Sequence, residues 1–388
     1  MVYATGRVYY DADTHLMEPL DHYDGYLDPA IRERAPKILV GGRFPLDAFY
    51  EAERLRAEPG FHDREVDEVM ERKLWSALGA WDPHDRSRAL DELGFSAQLV
   101  FDSFMRSVLR DAEQMDDPEL LYGLARAHHR AMHDFCADPR LLPVSYVPMA
   151  DIERTIAFAR ELIDDGAVAL EIPGDCPKHH SPSHVGFEPL WAMAAEARTP
   201  IVFHLGSSRL ATMTFHTNGR PVEKFFAGGD VPRMGTIEYI STPMAVQEIL
   251  TALLVDGVLH RHPDLRFAIV ELGSTWMPGY LHFLDSAQVA FGKAEGRLKA
   301  LDLKLSQYVQ RQVRVAPFCH ENVGWLISQV GDGMAMFSSD YPHIEGGRNP
   351  LARFERSLDE HDIPAAARDR FYEHNFVDLL GGRVPAPR

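Results

Sequence analysis

The segment Asp11-Ala-Asp13-Thr-His15-Leu-Met-Glu18-Pro19 puts a carboxylate and an imidazole two residues apart behind an apolar run. On a β-strand, residues i and i+2 share a face. Charged groups at the end of a buried strand are costly unless they are paired or bound to an ion. Asp13 and His15 can therefore chelate one cation, or form a hydrogen-bonded couple. Two further segments end in groups of the same kind: Ile201-Val-Phe-His204-Leu-Gly and Phe337-Ser-Ser-Asp340-Tyr-Pro-His343. Taken singly, His204 also reads as a packed core histidine, and Asp340 as a turn-capping aspartate.

The elements that must position these groups decide between the readings. Short apolar runs alternate with helical stretches, which predicts β/α units around a parallel sheet. Eight runs are expected as strands: Val8–Asp13, Ala97–Asp102, Leu142–Pro148, Ala167–Ile172, Pro200–His204, Arg266–Glu271, Val313–Pro317 and Met334–Asp340. Their nearly continuous apolar character suits strands buried on both faces. Eight units predict a closed (β/α)8 TIM barrel, with an open doubly wound sheet as the alternative. In a barrel the C-terminal strand ends converge on one mouth. Asp13, His15, His204 and Asp340 then meet there, on strands one, five and eight. Two carboxylates with two imidazoles suit one divalent transition metal, zinc first, with manganese or iron as alternatives. An open coordination position would lower the pKa of a water toward ~7.

The chain reads as a single domain spanning 1–388, with insertions at about 16–81 and 205–243. Both follow strand ends, where barrel enzymes carry ligand loops, and both are expected to cover the site. Asp151 is expected to cap a helix with Ile152, Ile156 and Phe158 on its apolar face. Pro189–Arg198 and Met244–Leu259 read as further helices, the latter apolar enough to be well covered. His260 and His262 precede strand six, on the face where catalysis is not expected. His128, His129 and His133 read as surface or helix-packing residues.

Composition narrows the classes. Hydrophobic residues make up 45% and charged residues 25%, as in ordinary globular chains. Forty Lys and Arg against 58 Asp and Glu give a formal charge of −18. That disfavours nucleic acid and anionic membranes. No apolar run approaches a membrane span, and no secretory signal pattern opens the sequence. Cys136, Cys176 and Cys319 are sparse and unpaired in spacing, so a reducing cytoplasm is expected. The expected partner is a small molecule.

At this point the sequence resembles the amidohydrolase-related group that includes aminocarboxymuconate-semialdehyde decarboxylase and γ-resorcylate decarboxylase. The resemblance runs nearly end to end. It rests on Asp13-Thr-His15, on Glu188-Pro-Leu-Trp-Ala-Met-Ala-Ala-Glu-Ala leading to Val202-Phe-His204, and on Gly257-Val-Leu-His-Arg-His-Pro-Asp-Leu-Arg-Phe. Ser339-Asp340-Tyr-Pro-His343 and Glu373-His-Asn375-Phe complete it. The resemblance implies a mononuclear metal on the four residues above, Asp340 as both ligand and proton handler, and a homodimer. No lysine ends strand four to bridge two metals; Glu171 stands in that strand, able either to bridge or to pack outward.

One departure bears on the reaction. Where the decarboxylases end strand six in a catalytic histidine, this chain has Glu271. A carboxylate beside a metal acts more naturally as a base, or as an acid if its pKa is raised. Hydrolysis of a small organic molecule by a metal-activated water, with Glu271 or Asp340 taking its proton, is the first reading. Non-oxidative decarboxylation of an aromatic or unsaturated acid is the second, and an inactive ligand-binding barrel the third. Substrate-contact candidates in the strand-end loops are Glu18, Phe104, Arg106, His180, Trp276, His320 and His343, with Arg106 placed to grip a carboxylate bidentately.

Overall fold

The computed structural model describes residues 2–38, 46–61, 69–209, 213–220 and 235–387. Parts of both expected insertions, 39–45, 62–68, 210–212 and 221–234, lie outside the described residues.

Seven parallel strands form one sheet in sequential order: β1 (Tyr10–Leu16), β2 (Ala97–Asp102), β3 (Leu141–Tyr146), β4 (Ala169–Glu171), β5 (Ile201–His204), β6 (Phe267–Val270) and β7 (Val313–Val315). The eighth expected strand, Met334–Asp340, is not a regular strand. It makes isolated parallel bridges, Val315 to Ala335 and Thr14 to Tyr341. Its backbone nonetheless bonds to both neighbours. The Met336 amide donates to Val315 O (2.8 Å), and the Ala12 amide donates to Phe337 O (2.9 Å). Short pairings leave few ladder bonds, so a pattern-based boundary overshoots the strand.

The sheet curls around a common interior. One buried cluster takes Tyr10 and Ala12, Leu99 and Phe101, Val144, Ala169, Val202, Ala268 and Val270, Ala316 and Met336. Each of the eight segments thus contributes. A larger buried cluster lies between the strands and the surrounding helices.

Local chemistry fixes the helices that space the strands. Asp82 caps Pro83–Leu93, accepting from the His84 and Asp85 amides at 3.0 and 3.1 Å, and Gly94 ends that helix at φ 75°. Asp151 caps Ile152–Asp164 as expected, accepting from the Arg154 amide at 2.9 Å. That helix buries Thr155, Phe158, Ala159 and Leu162, while Ile152 and Ile156 are only partly covered. The helix expected over 244–259 begins earlier and breaks, as Thr236–Val255 and Val258–Arg261. Its first turns leave Ile237, Ile240 and Met244 exposed, contrary to full coverage. No helix among the described residues is long and apolar enough to cross a membrane.

Candidate metal centre

A β-bulge aims the first two donors. The β1–β2 register shifts between Asp11 and Thr14, so β1 holds one more residue than β2 across that interval. Tyr10 and Ala12 face the interior cluster; beyond the bulge, the interior parity passes to Asp13 and His15. Bulges commonly re-aim a side chain beside a site in this way.

The groups meet closely. His15 Nε2 lies 3.1 Å from Asp13 Oδ1 and 3.5 Å from Asp340 Oδ1. His204 Nε2 lies 3.2 Å from the same Asp13 oxygen. Glu271 Oε2 is 3.6 Å from His204 Nε2 and 3.9 Å from His15 Nε2. Two overlapping quartets result, each with ligand atoms within 4.8 Å of one another: Asp13, His15, His204 and Glu271, and His15, Glu271, Asp340 and His343.

The donor set fits a divalent cation. His15 Nε2 and both Asp340 carboxylate oxygens are buried without a hydrogen-bond partner. Such groups are rarely left unsatisfied in folded proteins. The far nitrogen of His15, Nδ1, faces Asp102 O at 3.1 Å, and that of His204 faces Leu205 O at 2.9 Å. A proton on each Nδ1 leaves each Nε2 lone pair pointing at the centre.

Electrostatics agree. Burial, then the neighbouring Asp13, pushes Asp340 well above the usual carboxylate range. Burial, then Asp340 and Asp13, does the same to Glu271. Burial, followed by His343 for His15 and by Arg106 for His204, holds both imidazoles in the unprotonated form. Three crowded carboxylates and two neutral imidazoles form a centre that a cation would relieve.

Two of these acids sit on strained backbone. Glu271, one residue past β6, has φ 55°, and Asp340 has φ 52°. Non-glycine residues hold this conformation only where surroundings enforce it. Around Asp340, Asp11 accepts from the Ser339 amide (2.8 Å) and hydroxyl (2.5 Å). The Asp340 amide itself donates to Asp13 O at 2.9 Å. Beyond Glu271, Glu321 accepts from the Ser274, Thr275 and Phe318 amides, at 2.9, 2.9 and 2.8 Å.

The expected substrate contacts divide. His343 joins the centre: its ring stacks on His15 at 3.8 Å, its Nδ1 is 3.0 Å from Asp340 Oδ1, and its Nε2 is 2.8 Å from Ser103 Oγ. Arg106 is 3% exposed, its guanidinium held among buried groups. Its Nη1 lies 2.8 Å from His204 Nδ1 and donates to Leu205 O (3.2 Å), and its Nη2 donates to Asp102 Oδ1 (3.2 Å). Glu18 is fully buried and accepts from the Ser103, Phe104 and Met105 amides, fixing the loop after β2. Phe104 stacks on Trp75 at 5.3 Å. Trp276 donates to Gly273 O, His320 contacts the Tyr239 hydroxyl, and His180 meets Phe187 edge-on. Glu171 is buried inside the barrel, its Oε1 2.8 Å from Arg106 Nε, so it does not pack outward.

Sequence reasoning passed over Lys73 and His128. Lys73 Nζ is buried without a hydrogen-bond partner and feels Asp340 and Glu345. The loop carrying it docks on the centre, with the Leu74 amide donating to Pro342 O at 2.9 Å. His128, expected at a surface or helix contact, is 1% exposed, with Nε2 3.1 Å from Asp102 Oδ1. Lys73 lies in a polar insertion without periodicity, and His128 on an ordinary helical pattern, so neither carries a local signal. His262 instead pairs with Glu188 at 2.9 Å, away from the donors.

Comparisons with known proteins point the same way. No curated protein matches the sequence significantly. An amidohydrolase from Mycobacterium avium subsp. paratuberculosis K-10 has a similar structure, with TM-score 0.73 at 20% identity, covering 97% of this chain and all of that one. The 5-carboxyvanillate decarboxylase of Novosphingobium aromaticivorans DSM 12444, complexed with manganese and 4-hydroxy-3-methoxy-5-nitrobenzoic acid, has TM-score 0.60 at 17% identity over 98% of each chain. A dihydroxybenzoic acid decarboxylase from Polaromonas sp. JS666, with manganese and 2-nitroresorcinol, has TM-score 0.62 at 13% identity over 97% of each. The profile of the amidohydrolase family, Amidohydro_2, matches residues 10–382, and the chain therefore belongs to that family.

Proposed function

We propose that the protein is a metal-dependent hydrolase acting on a small organic acid, on a closed eight-unit barrel whose last segment, 334–341, bridges β7 and β1. Asp13, His15, His204 and Asp340 hold one divalent transition metal. The mixed nitrogen and oxygen donors admit zinc, our first expectation, and also manganese, which two of the similar structures contain. The bound ion supplies Lewis acidity and acidifies a water at an open position.

The observation that carries the reading is Glu271. Its Oε2 faces the same point as the two imidazole Nε2 atoms, in the place where a decarboxylase of this group would present an imidazole. A carboxylate held there with a raised pKa takes a proton from an attacking water and returns it to a leaving group. His343, with Nδ1 3.0 Å from Asp340 Oδ1 and Nε2 2.8 Å from Ser103 Oγ, stands between that acid and the hydroxyl. Lys73, buried above the centre, provides the cation for the substrate's carboxylate.

Decarboxylation of an aromatic acid is the second reading, favoured by the aromatic ligands of the similar structures. Carbon dioxide release against water uptake separates the two on any substrate turned over. Glu271→Gln tests the first: turnover falls by roughly 10²-fold or more with metal content unchanged. If elemental analysis shows that the variant has lost its metal, Glu271 is a ligand and the assigned proton role fails.

A further inference from the structure

We propose that Arg106, braced by Asp102 and Glu171, is a positioning residue that sets the orientation of His204 as a metal ligand. This rests on the reading of His204 as a ligand.

Arg106 stands in the helix after β2, yet its guanidinium reaches the ends of three strands. Nη2 donates to Asp102 Oδ1 at the end of β2, while the Arg106 amide donates to Asp102 Oδ2 at 2.5 Å. Nε lies 2.8 Å from Glu171 Oε1 at the end of β4. Nη1 reaches the end of β5, 2.8 Å from His204 Nδ1 and 3.2 Å from Leu205 O. All three partner side chains are buried, at 1–3% exposed together with Arg106 itself. A planar, rigid fork with this many fixed acceptors has one orientation.

The contact with His204 has a chemical consequence. A guanidinium nitrogen only donates, so beside an unprotonated Nδ1 it makes a hydrogen bond and turns the Nε2 proton toward Asp13. When Nε2 must present its lone pair to a cation, Nδ1 carries the proton. Leu205 O is then positioned to accept from both His204 Nδ1 (2.9 Å) and Arg106 Nη1 (3.2 Å). With a proton on Nδ1, two donors would face each other 2.8 Å apart, so Arg106 Nη1 must turn to Leu205 O for His204 Nε2 to present its lone pair. Groups behind a ligating imidazole typically alter metal affinity by 10–100-fold when removed.

The cluster also excludes a competing role. With Asp102, Glu171, His204 and Leu205 engaging the guanidinium, an incoming carboxylate would have to displace buried partners. Substrate anions are left to Lys73.

The test uses the full-length protein, stripped of metal and titrated with Mn²⁺ against a chelator of known affinity. Arg106→Lys keeps the charge and loses the fork. Glu171→Gln keeps the shape and loses the carboxylate. Each is expected to weaken Mn²⁺ binding 10–100-fold, while the metal-free proteins keep wild-type far-UV spectra and melting temperatures within a few degrees. Histidine ¹⁵N shifts should show His204 losing its single-tautomer signature in Arg106→Lys. Wild-type Mn²⁺ affinity in both variants, alongside loss of binding in His204→Ala, overturns this inference alone. If His204→Ala itself binds Mn²⁺ normally, the metal-ligand reading falls and takes the inference with it.

Discussion

Glu113 offers a measurement of how strongly the packed layer between helices and sheet resists charge. It closes the helix Met105–Glu113, and its Oε1 accepts from the Met149 amide at 2.9 Å and the Tyr146 hydroxyl at 3.4 Å. Burial pushes its carboxyl from the ordinary 4.5 up to about 7, against the lowering effect of those two bonds. Between these values the folded chain holds a proton that the unfolded chain has released. Stability is therefore fully present below about pH 4.5 and is lost as pH rises through about 7. At ~1.36 kcal/mol per pKa unit, the loss is about 1 kcal/mol near pH 5 and about 3 kcal/mol near pH 8.5. Glu113→Gln retains an accepting oxygen and has no proton to lose. Its advantage over the wild type should grow by the same amounts. An unfolding entropy of ~2.1 cal/mol/K per residue, taken over 388 residues, converts this to about 1 °C near pH 5 and about 4 °C near pH 8.5. Differential scanning calorimetry of both proteins in the same metal-loading state reads the difference. Melting curves that stay parallel across that range would show that the carboxyl titrates as in water, and the burial argument would be wrong.

Other consequences are equally accessible. Glu321→Ala leaves the buried Ser274 and Phe318 amides and the more exposed Thr275 amide without their carboxylate, so a loss of about 2–4 kcal/mol is expected in denaturant titration. A loss below about 1 kcal/mol would mean that the loop after Glu271 is held by other contacts. Chelation should lower the melting temperature, and excess metal should restore it, because an ion at 100 times its Kd adds about 2.7 kcal/mol; a melting curve indifferent to chelator speaks against a resident ion. His262→Ala should cost about 1–2 kcal/mol through its half-buried pair with Glu188 and leave turnover intact. A large loss of kcat there would contradict the polarity assigned to the strands.

The donors were legible because polar groups at the ends of apolar runs are conspicuous. Asp13, His15, His204 and Asp340 each interrupt such a run; the structure sets His15 beside both Asp13 and Asp340 and His204 beside Asp13, while Asp340 groups with His15, Glu271 and His343 rather than with His204. The roles of the cations were not legible. Arg106 looks the same in sequence whether it faces solvent or β4, and only the fold sets its Nε 2.8 Å from Glu171. The bulge in β1 was equally hidden: a period of two places Asp13 and His15 together, but not on the interior face. Met334–Asp340 reads as a strand by composition, and the isolated bridges at Ala335 and at the following Tyr341 reflect how little regular ladder forms there between β7 and β1.

The left-handed backbone at Glu271 and Asp340 sets stability against chemistry at both positions. An L-residue gives up roughly 1–2 kcal/mol to stand there, and glycine gives up almost none. Removing either acid also thins a crowd of like charges. In the metal-free protein, mutational drift without selection therefore runs downhill, toward sturdier and silent proteins, at these two positions. A heat-resistance screen under chelator should enrich glycine or asparagine at 271 and 340, discarding the two acids to which we assign the proton work.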